Sequence, residues 1–162
     1  MSIPAGTVWR GPTEGDAVGL LGGLYSYRAR GADTGNAYSL FEVEGPVATP
    51  LHMHHGEEEG FYVVAGEVSF QIGDEVVKGG PGTFAFVPRG VNHGFRLDSP
   101  DAKLLLLLTP GNAGHEAMFA EMGEPAADHA VPAPPTTPPD PAELGAVAAR
   151  HGTAMVGPPI GQ

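Results

Sequence analysis

The segment LHMHHGEEEGFYVVAGE, residues 51–67, decides how the rest of the chain is read. Three histidines fall within four positions, three glutamates follow, and a run of strand-forming residues then ends at Gly66. Alternate side chains of a strand share a face, so His52 and His54 point one way and Met53 and His55 the other. Glu59 opens the next strand, with Phe61 and Val63 on its face. If GEEE reverses the chain, Glu59 returns beside the two histidines. A second stretch, GTFAFVPRGVNHGFRL (residues 82–97), supplies His93 after a Pro-Arg-Gly turn, with Phe95 and Leu97 on the same strand face. Three imidazoles and one carboxylate suit a first-row divalent metal and can leave positions open for substrate, water or dioxygen.

Working outward, residues from about Val18 to Thr109 read as short strands separated by Gly, Pro, Asn and Asp. Val68, Phe70 and Ile72 alternate with polar neighbours, and Ile72-Gly73-Asp74-Glu75 reads as a tight hairpin turn. The density of strands predicts an all-β fold, an antiparallel sandwich or barrel of the jelly-roll kind. The run LLLLL (residues 104–108) predicts a strand covered on both faces. After Pro110 the pattern changes. GHEAMFAEMGEP predicts a short helix, with Met118, Phe119 and Met122 on one side and a stop at Gly123. VPAPPTTPPDP (residues 131–141) carries six prolines and must be extended. Asp140, Pro141 and Glu143 then form the start signal of a second helix ending near Gly152. GPPIGQ is expected to be an irregular tail. The division is a barrel over residues 1–112 and a helical, proline-rich extension over residues 113–162.

The bulk properties narrow the function. A chain of 162 residues fits one domain with a modest extension. A net charge of −11 repels nucleic acid and anionic lipid, so neither is expected as a partner. With no cysteine, thiolate ligands, thiolate nucleophiles and disulfides are excluded. No apolar run approaches the ~20 residues of a spanning helix, and MSIPAGTVWRGPTEG lacks the pattern of a leader, so a cytoplasmic location is expected.

Gly45, His52, His54, Glu59 and Gly66 resemble the first cupin motif in type and spacing. Gly82, Pro88, Gly90 and His93 resemble the second. The asparagine usual four places after the last histidine is replaced by Leu97. The resemblance covers about residues 36–109, and the tail is similar to that of bacterial single-domain cupins akin to quercetin 2,3-dioxygenase. It implies a cupin-type jelly-roll β-barrel with a metal near one mouth. The ligands would be His52, His54, Glu59 and His93, and the metal iron, manganese, nickel, cobalt, copper or zinc. It also implies a homodimer.

Each residue also has a plainer structural role. Glu57 and Glu58 read as a solvated turn, His55 as a neighbour of the site or exposed, and Arg89 as a turn residue. His115, His129 and His151 lie in the tail and are given no site role. Phe61, Phe95 and Leu97 point into the barrel, where they pack the core or touch substrate. Tyr38, Phe41 and Met118 carry the same two readings, and the Met118 helix either packs on the sheet or covers the barrel mouth. The resemblance implies a metal-dependent dioxygenase acting on a flavonol-like or other enolic or aromatic small molecule, with Glu59 as both ligand and base. The alternatives are a Lewis-acid cyclase, isomerase or decarboxylase that consumes no oxygen, and a non-enzymatic binding module.

Overall fold

The computed structural model describes residues 2–162, and its regular structure is mostly strand, in two antiparallel sheets. In chain order the elements begin with β1 (Ala17–Leu20), β2 (Gly23–Ala29), the short helix α1 (Gly31–Thr34), β3 (Ser39–Glu44) and β4 (Pro50–His54). Next come β5 (Glu58–Ala65), β6 (Val68–Ile72), β7 (Glu75–Gly79), β8 (Phe84–Val87), β9 (His93–Leu97) and β10 (Lys103–Thr109). The C-terminal part holds α2 (His115–Met122), β11 (Glu124–Pro125), α3 (Pro141–Arg150) and β12 (Thr153–Pro159). The larger sheet runs β11-β1-β2-β3-β10-β5-β8 and the smaller β12-β4-β9-β6-β7. This is the expected jelly-roll barrel with its short helical, proline-rich extension.

Alternation sets which side chains fill the barrel. Phe41 and Val43 of β3, Phe61 and Val63 of β5, and Leu104, Leu106 and Leu108 of β10 are buried from the larger sheet. Val68 and Phe70 of β6 and Phe95 and Leu97 of β9 are buried from the smaller one. A fully buried side chain of this size is worth roughly 1.5–3 kcal/mol relative to exposure, so these rows supply much of the driving force. The β6–β7 hairpin closes through Gly73-Asp74, with Ile72 paired to Glu75 and Gly73 at φ 59°. Glycine at the first central position of a two-residue turn matches the twist of the strands.

Two expectations are corrected. The leucine run is not covered on both faces: Leu107 is 37% exposed, and only Leu104, Leu106 and Leu108 reach the core. Five leucines in a row hide an ordinary inward–outward alternation, because β10 lies between β3 and β5 with one face outward. GPPIGQ is not all irregular either. Gly157 to Pro159 belong to β12, which pairs antiparallel with β4 despite its prolines. β12 lies at the edge of its sheet, where proline is tolerated. Both helices form as the sequence indicates, and Asp140 caps α3 by accepting from the Ala142 amide at 2.9 Å. No helix among the described residues is long and apolar enough to cross a membrane.

Candidate metal centre

The two sheets bring the motif residues together at one end of the barrel. β4 and β9 are neighbours, and His52 and His93 are direct register partners with rings 4.5 Å apart. His54 follows two residues on, so it shares their face, with its ring 4.7 Å from that of His93. β5 belongs to the facing sheet and carries Glu59 across the barrel. Its Oε2 lies 2.9 Å from His93 Nε2 and 3.5 Å from His54 Nε2. All four side chains are buried.

Hydrogen bonds fix which nitrogen of two of the rings faces the centre. Nδ1 of His52 donates to the Pro50 carbonyl at 2.7 Å, and Nδ1 of His93 to the Val91 carbonyl at 2.8 Å. A carbonyl only accepts, so Nε2 is left for the centre. His54 Nε2 is buried without a hydrogen-bond partner. Such an orphan is costly in a protein interior and marks a position suited to a metal.

The electrostatics also favour deprotonated ligands. Burial first, and then the charge of His93, push His52 down to about 4. Burial likewise pushes His54 down to about 2. Burial alone would raise Glu59, but the hydrogen bond to His93 and the histidine charges bring it down to about 2. His93 differs: burial works against its cation, and the bond to Glu59 outweighs burial and raises its pKa. Metal ligands must be neutral imidazole and carboxylate. His52, His54 and Glu59 meet that condition at neutral pH, and His93 meets it on releasing one proton to an arriving cation. The donor set therefore fits a divalent transition metal.

The structure also brings in two residues that the sequence reading set aside. His115, at the first position of α2, is buried with its ring 4.3 Å from that of His54. Donor atoms of His52, His54, Glu59 and His115 all lie within 4.8 Å of one another. Glu57 is not a solvated turn residue. It is 3% exposed, and its carboxylate accepts from His115 Nδ1 at 2.5 Å and from the His115 amide at 3.2 Å. The physical reason is that α2 is preceded at its cap position by Gly114, which has no side chain to cap it, so Glu57 satisfies the helix N-terminus from the β4–β5 turn. Glu58 does remain at the rim, 3.9 Å from Arg89. The available signal was Glu57 within the turn between the motif ligands, together with a histidine opening a helix.

The remaining candidates divide by position. The Phe61 ring lies 6.0 Å from His93 and 5.8 Å from Phe95, so Phe61 floors the site and Phe95 lies in the next layer down. Leu97 is four residues along β9 from His93, roughly 13 Å away at strand rise, and packs in the core. Phe41 packs against Tyr27 and Phe119. Tyr38 is 39% exposed, just before β3, where its carbonyl accepts from Thr34 Oγ1. Met118 does reach the site. With Tyr25, His52, His115, Phe119 and Thr153 it lines a cavity of about 40 Å³ beside the cluster.

Comparison with known proteins agrees with this geometry. The profile described as "Cupin domain" matches residues 39–110, the span that holds His52, His54, Glu59 and His93. Residues 39–110 are thus a cupin domain. It is similar to quercetin 2,3-dioxygenase of Bacillus subtilis, at 29% identity over 137 residues, or 82% of this chain and 40% of that one. It is also similar to quercetin 2,3-dioxygenase of Aspergillus japonicus, at 31% identity over 116 residues, or 65% of this chain and 32% of that one. This cupin therefore spans well under half the length of either relative. Among solved structures, the β-barrel of a nucleoside dehydratase superposes with a TM-score of 0.55 at 13% identity, over 74% of this chain and 92% of that one. At that identity the likeness concerns the fold.

Proposed function

We propose that this cupin is a metal-dependent dioxygenase acting on a flavonol-like or other enolic or aromatic small molecule. The observation that carries the metal is the buried His52–His54–Glu59–His93 cluster with its unpartnered His54 Nε2. The similarity to two quercetin 2,3-dioxygenases supports the choice of substrate class and of dioxygen as co-substrate. His52, His54, Glu59 and His93 would hold one divalent first-row metal, whose identity the donor set leaves open among iron, manganese, nickel, cobalt, copper and zinc. When bound, that metal supplies a Lewis-acid centre that acidifies a coordinated hydroxyl and, if redox-active, a partner for dioxygen.

The chain's own residues orient and exclude. The Pro50 and Val91 carbonyls hold the His52 and His93 rings in one tautomer and one direction. Phe61 provides an apolar floor suited to a flat ring. Glu59 Oε2 is the proton acceptor at the centre. Held at about 2, Glu59 stays a carboxylate at neutral pH and can accept a proton there only from a strongly acidic group. A bound small molecule commonly needs a pocket of roughly 300–1,000 Å³, against about 40 Å³ beside His52. Entry of a flavonol therefore requires the cavity to widen, and α2, which contributes Met118 and Phe119 to its wall, is one element that could move.

The test is elemental analysis of tag-free protein alongside a His93→Ala variant, followed by oxygen uptake with flavonols. One equivalent of a redox metal, lost in the variant, with substrate-dependent oxygen uptake, supports the proposal. Turnover of an enolic substrate without oxygen uptake would move the protein to the Lewis-acid class. Absence of metal even after reconstitution would leave a binding module.

A further inference from the structure

We propose that His115, carried by α2 and held by Glu57, is a further ligand of the metal, so that metal binding and the seating of α2 are one event. The inference rests on the metal site proposed above and extends it beyond residues 39–110.

Three observations converge. The donor atom of His115 lies within 4.8 Å of those of His52, His54 and Glu59, a group that does not include His93. Its ring is oriented as a metal-bound imidazole usually is. Nδ1 is committed to the Glu57 carboxylate at 2.5 Å, which leaves Nε2 as the coordinating nitrogen. Glu57, finally, is placed for His115 alone. Both its oxygens bond to that residue, one to the ring and one to the amide. Burying a carboxylate is expensive; capping of α2 accounts for its bond to the His115 amide, and the bond to the ring goes beyond that requirement. A carboxylate that aims an imidazole toward two other imidazoles and a carboxylate is the arrangement found behind metal-bound histidines.

The arrangement has a mechanical consequence. His115 is the first residue of α2, and Phe119, one turn later, packs on Phe41 and Tyr25. Coordination at His115 pins the N-terminus of the helix that walls the cavity. A substrate that displaces α2 would then compete with His115 for the metal.

The probe is Co(II), added to the metal-stripped full chain. In the parent, the proton spectrum of the Co(II) form should show four exchangeable, hyperfine-shifted imidazole N–H signals, from His52, His54, His93 and His115. His115→Ala should show three, with Co(II) affinity reduced at least about tenfold. Glu57→Gln should retain four and bind about tenfold to a hundredfold more weakly, as expected when an orienting carboxylate is lost. Amide exchange in residues 115–119 should slow on Co(II) binding in the parent and not in His115→Ala. Three signals in the parent, or unchanged α2 exchange on metal binding, overturn the role of His115 and leave the motif site intact. These two measurements use the parent alone and do not depend on a variant folding. A parent that takes up no Co(II) overturns the metal site itself.

Discussion

Acidifying the metal-free protein from about pH 7 to about pH 5 should cost about 4 kcal/mol of stability through His52 and His54. Burial holds these imidazoles at about 4 and about 2, against 6.5 for the ordinary side chain. Their folded values are depressed, so the stability they contribute is present above 6.5 and is lost as pH falls, because the unfolded chain binds protons the folded cluster refuses. At roughly 1.4 kcal/mol per pH unit below 6.5, each loses about 2 kcal/mol by about pH 5. His93 runs the other way. Its folded value is raised, so its contribution is complete below 6.5 and declines as pH rises through that raised value. Glu59, held at about 2 against 4.5, weakens the fold only below 4.5. The window between 6.5 and about 5 therefore belongs to His52 and His54. The assay is urea unfolding in chelator at about pH 7, 6 and 5. With a slope near 2 kcal/mol per molar, about 4 kcal/mol is about 2 M in the midpoint. The double variant His52→Gln/His54→Gln should lose most of the pH dependence. A parent whose midpoint is flat over the window, or a double variant that keeps the full slope, refutes the reasoning.

Two further outcomes follow from packing. Gly66→Ala should destabilise the fold by at least about 1–3 kcal/mol in urea unfolding, because Gly66 sits at φ 70° and a β-carbon there would meet the Ala102 backbone at 2.5 Å; an unchanged midpoint would mean that turn is not as described. Phe61→Ala should cost about 3–5 kcal/mol, since the ring is buried between Phe70, Phe95 and His93, and Phe61→Leu less than half of that. A loss under about 1 kcal/mol for the alanine variant would mean the ring is not packed into the core.

The parts of the fold written in short-range patterns were legible in the sequence. Period-two alternation placed His52 with His54, Glu59 with Phe61, and His93 with Phe95, and each pair lies on one buried face. The glycine turns and the Asp140-Pro141 start signal did the same for the hairpins and α3. What was not legible depended on partners distant in sequence. Glu57 reads as one more acid in a polar turn until the bare N-terminus of α2 arrives 58 residues later. His115 carries no spacing signal, because a helix rather than a motif delivers it. The leucine run concealed its alternation because its outward residues are as apolar as its inward ones. The prolines of the final strand argue against pairing in general, and only an edge position admits them.

The pairing of β12 with β4 places the last strand beside the one that bears the first two histidines: Thr153 lies opposite His54 and Met155 opposite His52. A ribosome therefore delivers both halves of the cupin motif well before it delivers the strand that flanks them, and α2 emerges between the two. Contacts this distant in sequence form late and slowly. Before β12 is made, the edge of β4 that pairs with it is open, and α2, which walls the cavity with Met118 and Phe119, has not all emerged while the motif is being completed. Until the C-terminal segment docks, the order of synthesis leaves the strand that carries His52 and His54 without its β12 neighbour.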